Sequence, residues 1–273
     1  MERNENVETH EMDRTNRLNR AMTLVSPIDA VESQPRAFLR AGWYNLPMLN
    51  FPADAELLEP YVPAGTELDL WEGRPYVSVV GFQFLHTRVC GLPVPFHRNF
   101  EEVNLRTYVR RRGEDGWRRG VVFIREIVRR RLISWVARWI YNEKYVTWPM
   151  RHDVVRPGPA APTGKARYEW YTGGRWHSLS ADFAGEPAAL VPGSEEEFIV
   201  EHYYGYTRQR DGSTLEYRVE HPSWRVWPAK SARLDCDVAA VYGDEFAPFL
   251  EWAPTSAFVA EGSEVIVRRG VPV

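Results

Sequence analysis

A chain of 273 residues that is 44% hydrophobic and 26% charged has the make-up of a globular protein, with room for one large or two small domains. Its formal net charge of -3 gives no global attraction to nucleic acid or anionic membranes. Cys90 and Cys236 follow no ligand spacing and build no disulfide framework, and no apolar secretory core stands near the N-terminus, so a cytoplasmic location is expected.

The chain carries 11 Trp, 13 Tyr and 12 Phe, which predicts a core or pocket rich in rings. Among its 34 basic residues the only lysines are Lys144, Lys165 and Lys230. Chemistry that needs a side-chain amine is confined to those three.

In chain order, residues 1–35 are polar and lack rings, which predicts a flexible N-terminal tail ahead of a single domain over 36–273. Strands are expected over Trp43–Leu49, Thr66–Leu70 and Tyr76–Thr87, with a short amphipathic helix over Ala55–Tyr61. Phe100–Arg110 alternates, and Gly120–Val128 is apolar on both faces; the turn Glu114-Asp115-Gly116 makes them a hairpin. Arg131–Tyr141 has helical spacing, but Arg138 interrupts an apolar run too short to span a bilayer. Further strands are expected over Arg167–Thr172, Arg175–Phe183, His202–Arg208, Thr214–Glu220, Arg233–Val241, Ser256–Val259 and Glu264–Arg268. Ser194 to Glu197 has capping-box spacing, and Asp244–Glu251 reads as a short helix. The Pro/Gly-rich stretch Pro157–Gly164 is the one candidate boundary, and one continuous barrel is the simpler reading. The fold class is therefore α+β, a mostly antiparallel closed barrel with a few short helices.

The polar groups concentrate between Gly91 and Met150. A period of two puts Glu102, Asn104, Arg106 and Tyr108 on one face of their strand and Val103, Leu105, Thr107 and Val109 on the other. The polar face meets either solvent or a barrel lumen; in a lumen Arg106 can clamp a carboxylate with a two-pronged bond. Glu102, four residues away and so about 13 Å along the strand, cannot neutralise it. Glu126 stands in a stripe with Val122, Ile124 and Val128, a setting that raises a carboxyl's pKa and suits an acid/base, unless an arginine pairs with it.

No histidine pair has metal spacing, although His97 and His152 flank the stretch; neither metal nor cofactor is expected. Nucleophile elbows, phosphate loops and dinucleotide fingerprints are absent. Eleven arginines between Arg98 and Arg131 would suit an anionic polymer, but rings interleave poorly with them, so nucleic acid is not expected.

The segments WYNLPMLNF, VPAGTELDLWEGRPYVSVVGF, GLPVPFHRNFEEVNLRTYV, RGVVF, EFIVEHYYGYT and VEHPSW resemble the uncharacterised bacterial YqjF-like family over about Phe38 to Pro228. That family looks like a divergent branch of the acetoacetate decarboxylase-like superfamily. The resemblance implies a closed, cone-like antiparallel barrel with a central pocket. In true decarboxylases a lysine of a Tyr-Pro-Lys-Lys stretch forms a Schiff base with a β-keto acid. The nearest match is Tyr141-Asn142-Glu143-Lys144, which lacks the proline and sets Glu143, a charge that raises an amine's pKa, beside Lys144.

The expected function is binding of a small organic acid or carbonyl compound in the lumen. Arg106, Asn104, Glu102, Tyr108 and His97 would hold the ligand, and Trp139, Tyr145 or Trp148 would shape the walls. If the ligand is turned over, lyase chemistry is expected with Lys144 as amine and Glu126 as acid/base. The alternative is a non-catalytic ligand-binding or sensor module. A small molecule is the expected partner, without nucleic acid or membrane, and self-association into a homo-oligomer is left open.

Overall fold

The computed structural model of the protein describes residues 36–93, 98–129, 144–159 and 161–273, and these are mostly antiparallel sheet with a few short helices. Long runs of β-branched and aromatic residues dictate this, because such side chains pack well on a pleated surface. The first strands are β1 (Ala37–Pro52), β2 (Glu67–Leu68), β3 (Tyr76–Val89), β4 (Leu92–Pro93), β5 (Phe100–Gly113) and β6 (Gly116–Val128). A helix α1 (Ala55–Leu58) follows β1. β5 and β6 form the hairpin expected from Glu114-Asp115-Gly116, with Gly113 opposite Gly116.

Next come β7 (Tyr145–Thr147), β8 (Met150–Val155), β9 (Thr163–Thr172), β10 (Arg175–Ala184) and α2 (Glu195–Val200). Ser194 caps α2, accepting a hydrogen bond from the Glu197 amide at 3.2 Å. The chain ends with β11 (Tyr204–Arg208), β12 (Thr214–Glu220), β13 (Val226–Pro228), β14 (Ser231–Asp235), α3 (Val238–Tyr242), α4 (Ala247–Leu250), β15 (Ser256–Arg268) and β16 (Val271–Pro272). Among the described residues no helix is long and apolar enough to cross a membrane.

In the larger sheet the pairings run β15-β1-β3-β5-β6-β11-β12, and β12 pairs in turn with β15. All are antiparallel except β6 with β11 and β6 with β7. A second, four-stranded sheet has the order β14-β10-β9-β8. The strands thus fall into two sheets, where the sequence suggests one continuous barrel. The candidate boundary falls between β8 and β9, which are paired neighbours.

The second sheet covers one face of the first. Val77, Val79, Val103, Leu105, Ile124 and Ile127 of the large sheet cluster with Tyr168, Trp170, Leu179 and Phe183 of the small one, joined by Val241 and Phe246 near α3 and α4. The opposite face of the large sheet packs against α2 through Met48, Val80, Phe82, Tyr108 and Ile199.

Two further expectations are corrected. Val238–Val241 is helical rather than extended, because Asp237 caps the turn by accepting from the Ala240 amide at 3.1 Å. Ser256–Arg268 is one strand rather than two. Gly262 lets it bend, with φ of 85° and a would-be Cβ only 2.0 Å from the Trp43 carbonyl oxygen, so no larger residue fits there. The helix expected over Arg131–Tyr141 lies outside the described residues.

Candidate functional site

The α2-facing side of β5 borders a cavity of about 120 Å³. A space of this order takes a molecule of roughly benzene size. Glu102, Asn104 and Arg106 line it, while Val103, Leu105 and Val109 point into cores on the other side. Trp43, Phe82 and Phe84 form an aromatic wall with ring centroids 5.1 to 5.6 Å apart.

Glu126 reaches the same cavity through a bulge. Across the hairpin Leu105 faces Arg125 but Arg106 faces Phe123, so Ile124 is one residue in excess. The extra residue inverts the alternation of β6. Val122 and Ile124 keep to the outer side, whereas Glu126, opposite Asn104, turns to the cavity. The single stripe of Val122, Ile124, Glu126 and Val128 expected from sequence is therefore split between two faces.

Arg106 is held by its surroundings rather than by a counter-ion. Its Nε donates to Tyr108 Oη at 3.4 Å and its Nη2 to the Ile199 carbonyl at 3.3 Å. Among the described residues no carboxylate lies within 4 Å of its guanidinium. Behind it runs a buried chain of hydroxyls and amides. Ser78 Oγ donates to Asn50 Oδ1 at 2.6 Å, which leaves Tyr108 Oη, also 2.6 Å from Ser78 Oγ, to donate to Ser78. A lone pair of Tyr108 then faces Arg106. Tyr108 is fully buried and does not line the cavity, so its place is behind Arg106 rather than against a ligand.

Two histidines also line the cavity. His202 Nε2 stands 3.4 Å from Asp69 Oδ2, and Asp69 is gripped by Arg119 Nε at 2.6 Å. Burial pushes the His202 pKa down to about 4, against the opposing pull of Asp69, so the ring is neutral at physiological pH. His221 stacks between Tyr203 (4.7 Å) and Trp224 (4.2 Å), and burial lowers its pKa as well. Neither histidine stood out in the sequence, where they sit in EFIVEHYYGYT and VEHPSW without metal or triad spacing.

Glu102 is 2% exposed. Asn104 Nδ2 donates to its Oε1 at 3.1 Å and Tyr145 Oη to its Oε2 at 3.4 Å. Burial outweighs both bonds and raises its pKa to about 7. The unfolded reference is 4.5, so between 4.5 and about 7 the folded protein holds a proton that the unfolded chain has released. Folding stability from this group therefore falls as pH rises through that window, by at most about 1.4 kcal/mol per pH unit. Chemical denaturation of wild type and Glu102→Gln at pH 5 and pH 8 should show the wild type losing more stability on the way up. Parallel losses would reject the assignment.

The remaining candidates lie elsewhere. Lys144 is exposed, with its Nζ 4.4 Å from the centroid of the Tyr61 ring, on the face opposite the cavity. Neighbouring Tyr145 points inward and lines the cavity. Lys165 and Lys230 are also exposed, so none of the chain's three lysines lines the cavity. Trp148 packs against the core on the outer side. His97 and Trp139 lie outside the described residues. His152 joins Glu101 at 2.8 Å, away from the cavity lining. Four arginines of the run meet acids from other elements: Arg110 meets Glu67, Arg111 and Arg118 meet Glu216, and Arg119 meets Asp69. Among the described residues no group of three or more His, Cys, Asp or Glu side chains is arranged to hold a metal.

The chain has counterparts in shape among solved structures. The enduracididine biosynthesis enzyme MppR superposes with a TM-score of 0.61, at 15% identity and 90% coverage of both chains. Acetoacetate decarboxylase from Legionella pneumophila gives 0.59, at 13% identity and 94% coverage of both chains. These likenesses establish an acetoacetate decarboxylase-like fold. In sequence, the uncharacterized protein YqjF of Bacillus subtilis (strain 168) is 28% identical over 207 residues, 74% of this chain and 79% of that protein. The DUF2071 model, described as an uncharacterized conserved protein, matches residues 40–264. The chain belongs to the DUF2071 family.

Proposed function

We propose that residues 36–273 form one barrel domain whose lumen binds a small organic acid, with Arg106 taking the carboxylate. The observation that carries this reading is a guanidinium lining a largely aromatic cavity with no carboxylate partner among the described residues. Its unoccupied Nη1, together with the Nη2 hydrogen now spent on a weak 3.8 Å contact to Met48 Sδ, matches the two oxygens of a carboxylate, and the low-polarity surroundings strengthen the bond. The neutral states of His202 and His221 leave Arg106 as the cation facing the ligand. Support comes also from MppR, a protein of similar fold known in complex with pyruvate, a small acid with a carbonyl group.

A binding or sensing role without covalent chemistry is preferred to lyase action through an amine, because Lys144, Lys165 and Lys230 all lie outside the cavity lining. The test is calorimetric titration with pyruvate, acetate and pentanoate, followed by cyanoborohydride treatment and intact-mass analysis. Saturable binding of at least one acid, with no adduct dependent on Lys144, is expected. An adduct lost in Lys144→Ala would restore the lyase reading, and failure of every acid to bind would remove the carboxylate site.

A further inference from the structure

The end of the cavity away from Arg106 is built from hydrogen-bond acceptors. Glu102 and Arg106 both face the cavity, about 13 Å apart along β5, with Asn104 between them. Asn104 is 1% exposed and spends its amide on Glu102, while its Oδ1 has no hydrogen-bond partner among the described residues. Glu102 takes its bonds from Asn104 and Tyr145, and no cationic side chain among the described residues accompanies it. From β6, Glu126 faces the cavity beside Asn104; from β3, the residue opposite Glu102 is Phe82. One end of the cavity therefore offers a cation and the other offers buried oxygens.

Building on Arg106 as the carboxylate anchor, we infer that the ligand is a short amino acid whose ammonium lies at the end opposite its carboxylate and binds Glu102 and Asn104 Oδ1. An ammonium has three donors and no acceptor, which suits a carboxylate and an amide oxygen together. An apolar tail would leave Asn104 Oδ1 buried and unsatisfied and would do nothing for the Glu102 carboxyl. The charge order of ligand and cavity also fixes orientation, since the reversed molecule meets like charge at both ends.

The pairing couples affinity to pH. Among the described residues, the titratable groups beside Glu102 are Tyr145 from β7 and Glu126 from β6. An ammonium binds the ionised carboxyl, which is populated above about 7. Affinity for the amino acid thus rises with pH through neutrality, whereas a plain carboxylate gains nothing there.

The experiment is isothermal titration of the full chain with 5-aminopentanoate and with pentanoate, at pH 6 and pH 8. At pH 8 the amino acid is expected to bind at least about tenfold more tightly. That preference should shrink at pH 6 and vanish in Glu102→Gln. Pentanoate binding as tightly as its amino analogue, or a preference that survives in Glu102→Gln, overturns this inference while leaving the carboxylate reading intact. If neither acid binds, the carboxylate reading fails and this inference with it. The comparison of two ligands on the wild-type chain needs no variant, so a Glu102→Gln protein that fails to fold does not obstruct it.

Discussion

Arg106→Ala is expected to abolish carboxylate binding while leaving the fold intact. A hydrogen bond to a charged group is worth about 1.5–3 kcal/mol, and a forked pair lost together corresponds to at least about a hundredfold in affinity. The cost to folding should be small by comparison, since Arg106 is tied only by long bonds to Tyr108 Oη, the Ile199 carbonyl and Met48 Sδ. Arg106→Lys keeps the charge but loses the fork, so it should recover only part of the affinity. Titration calorimetry on both variants, with circular dichroism to confirm folding, decides the matter. Affinity for carboxylates equal to wild type in Arg106→Ala would remove the residue from the site.

Trp170→Ala should produce the largest loss of stability. Trp170 is fully buried between the two sheets, stacked on His177 at 5.9 Å and clustered with Tyr168, Leu179 and Phe183. Truncating a buried tryptophan costs about 3–5 kcal/mol, against the roughly 5–15 kcal/mol that holds an ordinary domain together. For a protein of this size that amounts to a fall in melting temperature of roughly 6–20 °C. Trp252, 75% exposed, is the natural control, and its replacement by alanine should change stability by no more than about 0.5 kcal/mol. Comparable melting temperatures for the two variants would show that the contact between the sheets does not carry the fold.

Sequence patterning reached the strands more easily than their grouping. Alternation along Phe100–Arg110 separates the two faces of β5 correctly, because a period of two is a local property of the backbone. That β8, β9, β10 and β14 leave the main sheet depends on which strands pair, and short strand-like runs carry no information about that. Val238–Val241 has the apolar content of a strand, and only the Asp237 cap and the Gly243 after Tyr242 mark it as helix. The site was half legible. Glu102, Asn104 and Arg106 stand out as polar groups at alternate positions, and they do line the cavity. The position of Glu126 depends on a bulge at Ile124 that no residue type announces. His202 and His221 come from β-connections distant in sequence, so their meeting with β5 is a matter of topology. Lys144 lies outside the cavity lining: the resemblance picks it by order along the chain, whereas the pleat turns its neighbour Tyr145 inward.

The circuit of paired strands is unequal around its circumference. β1 and β15 are joined along almost their whole length, but β6 meets β11 through two residue pairs, Tyr204–Gly120 and Gly205–Val121. β12 meets β15 through two more, Val219–Val267 and Glu220–Ile266. The β11–β12 hairpin, carrying His202 before it and His221 after it, is thus held by short ladders to β6, β15 and β16, with ion pairs at Glu216 and Glu220 added. Short ladders open more readily than long ones, so the amides of β11 and β12 are expected to exchange faster than those of β1 and β15.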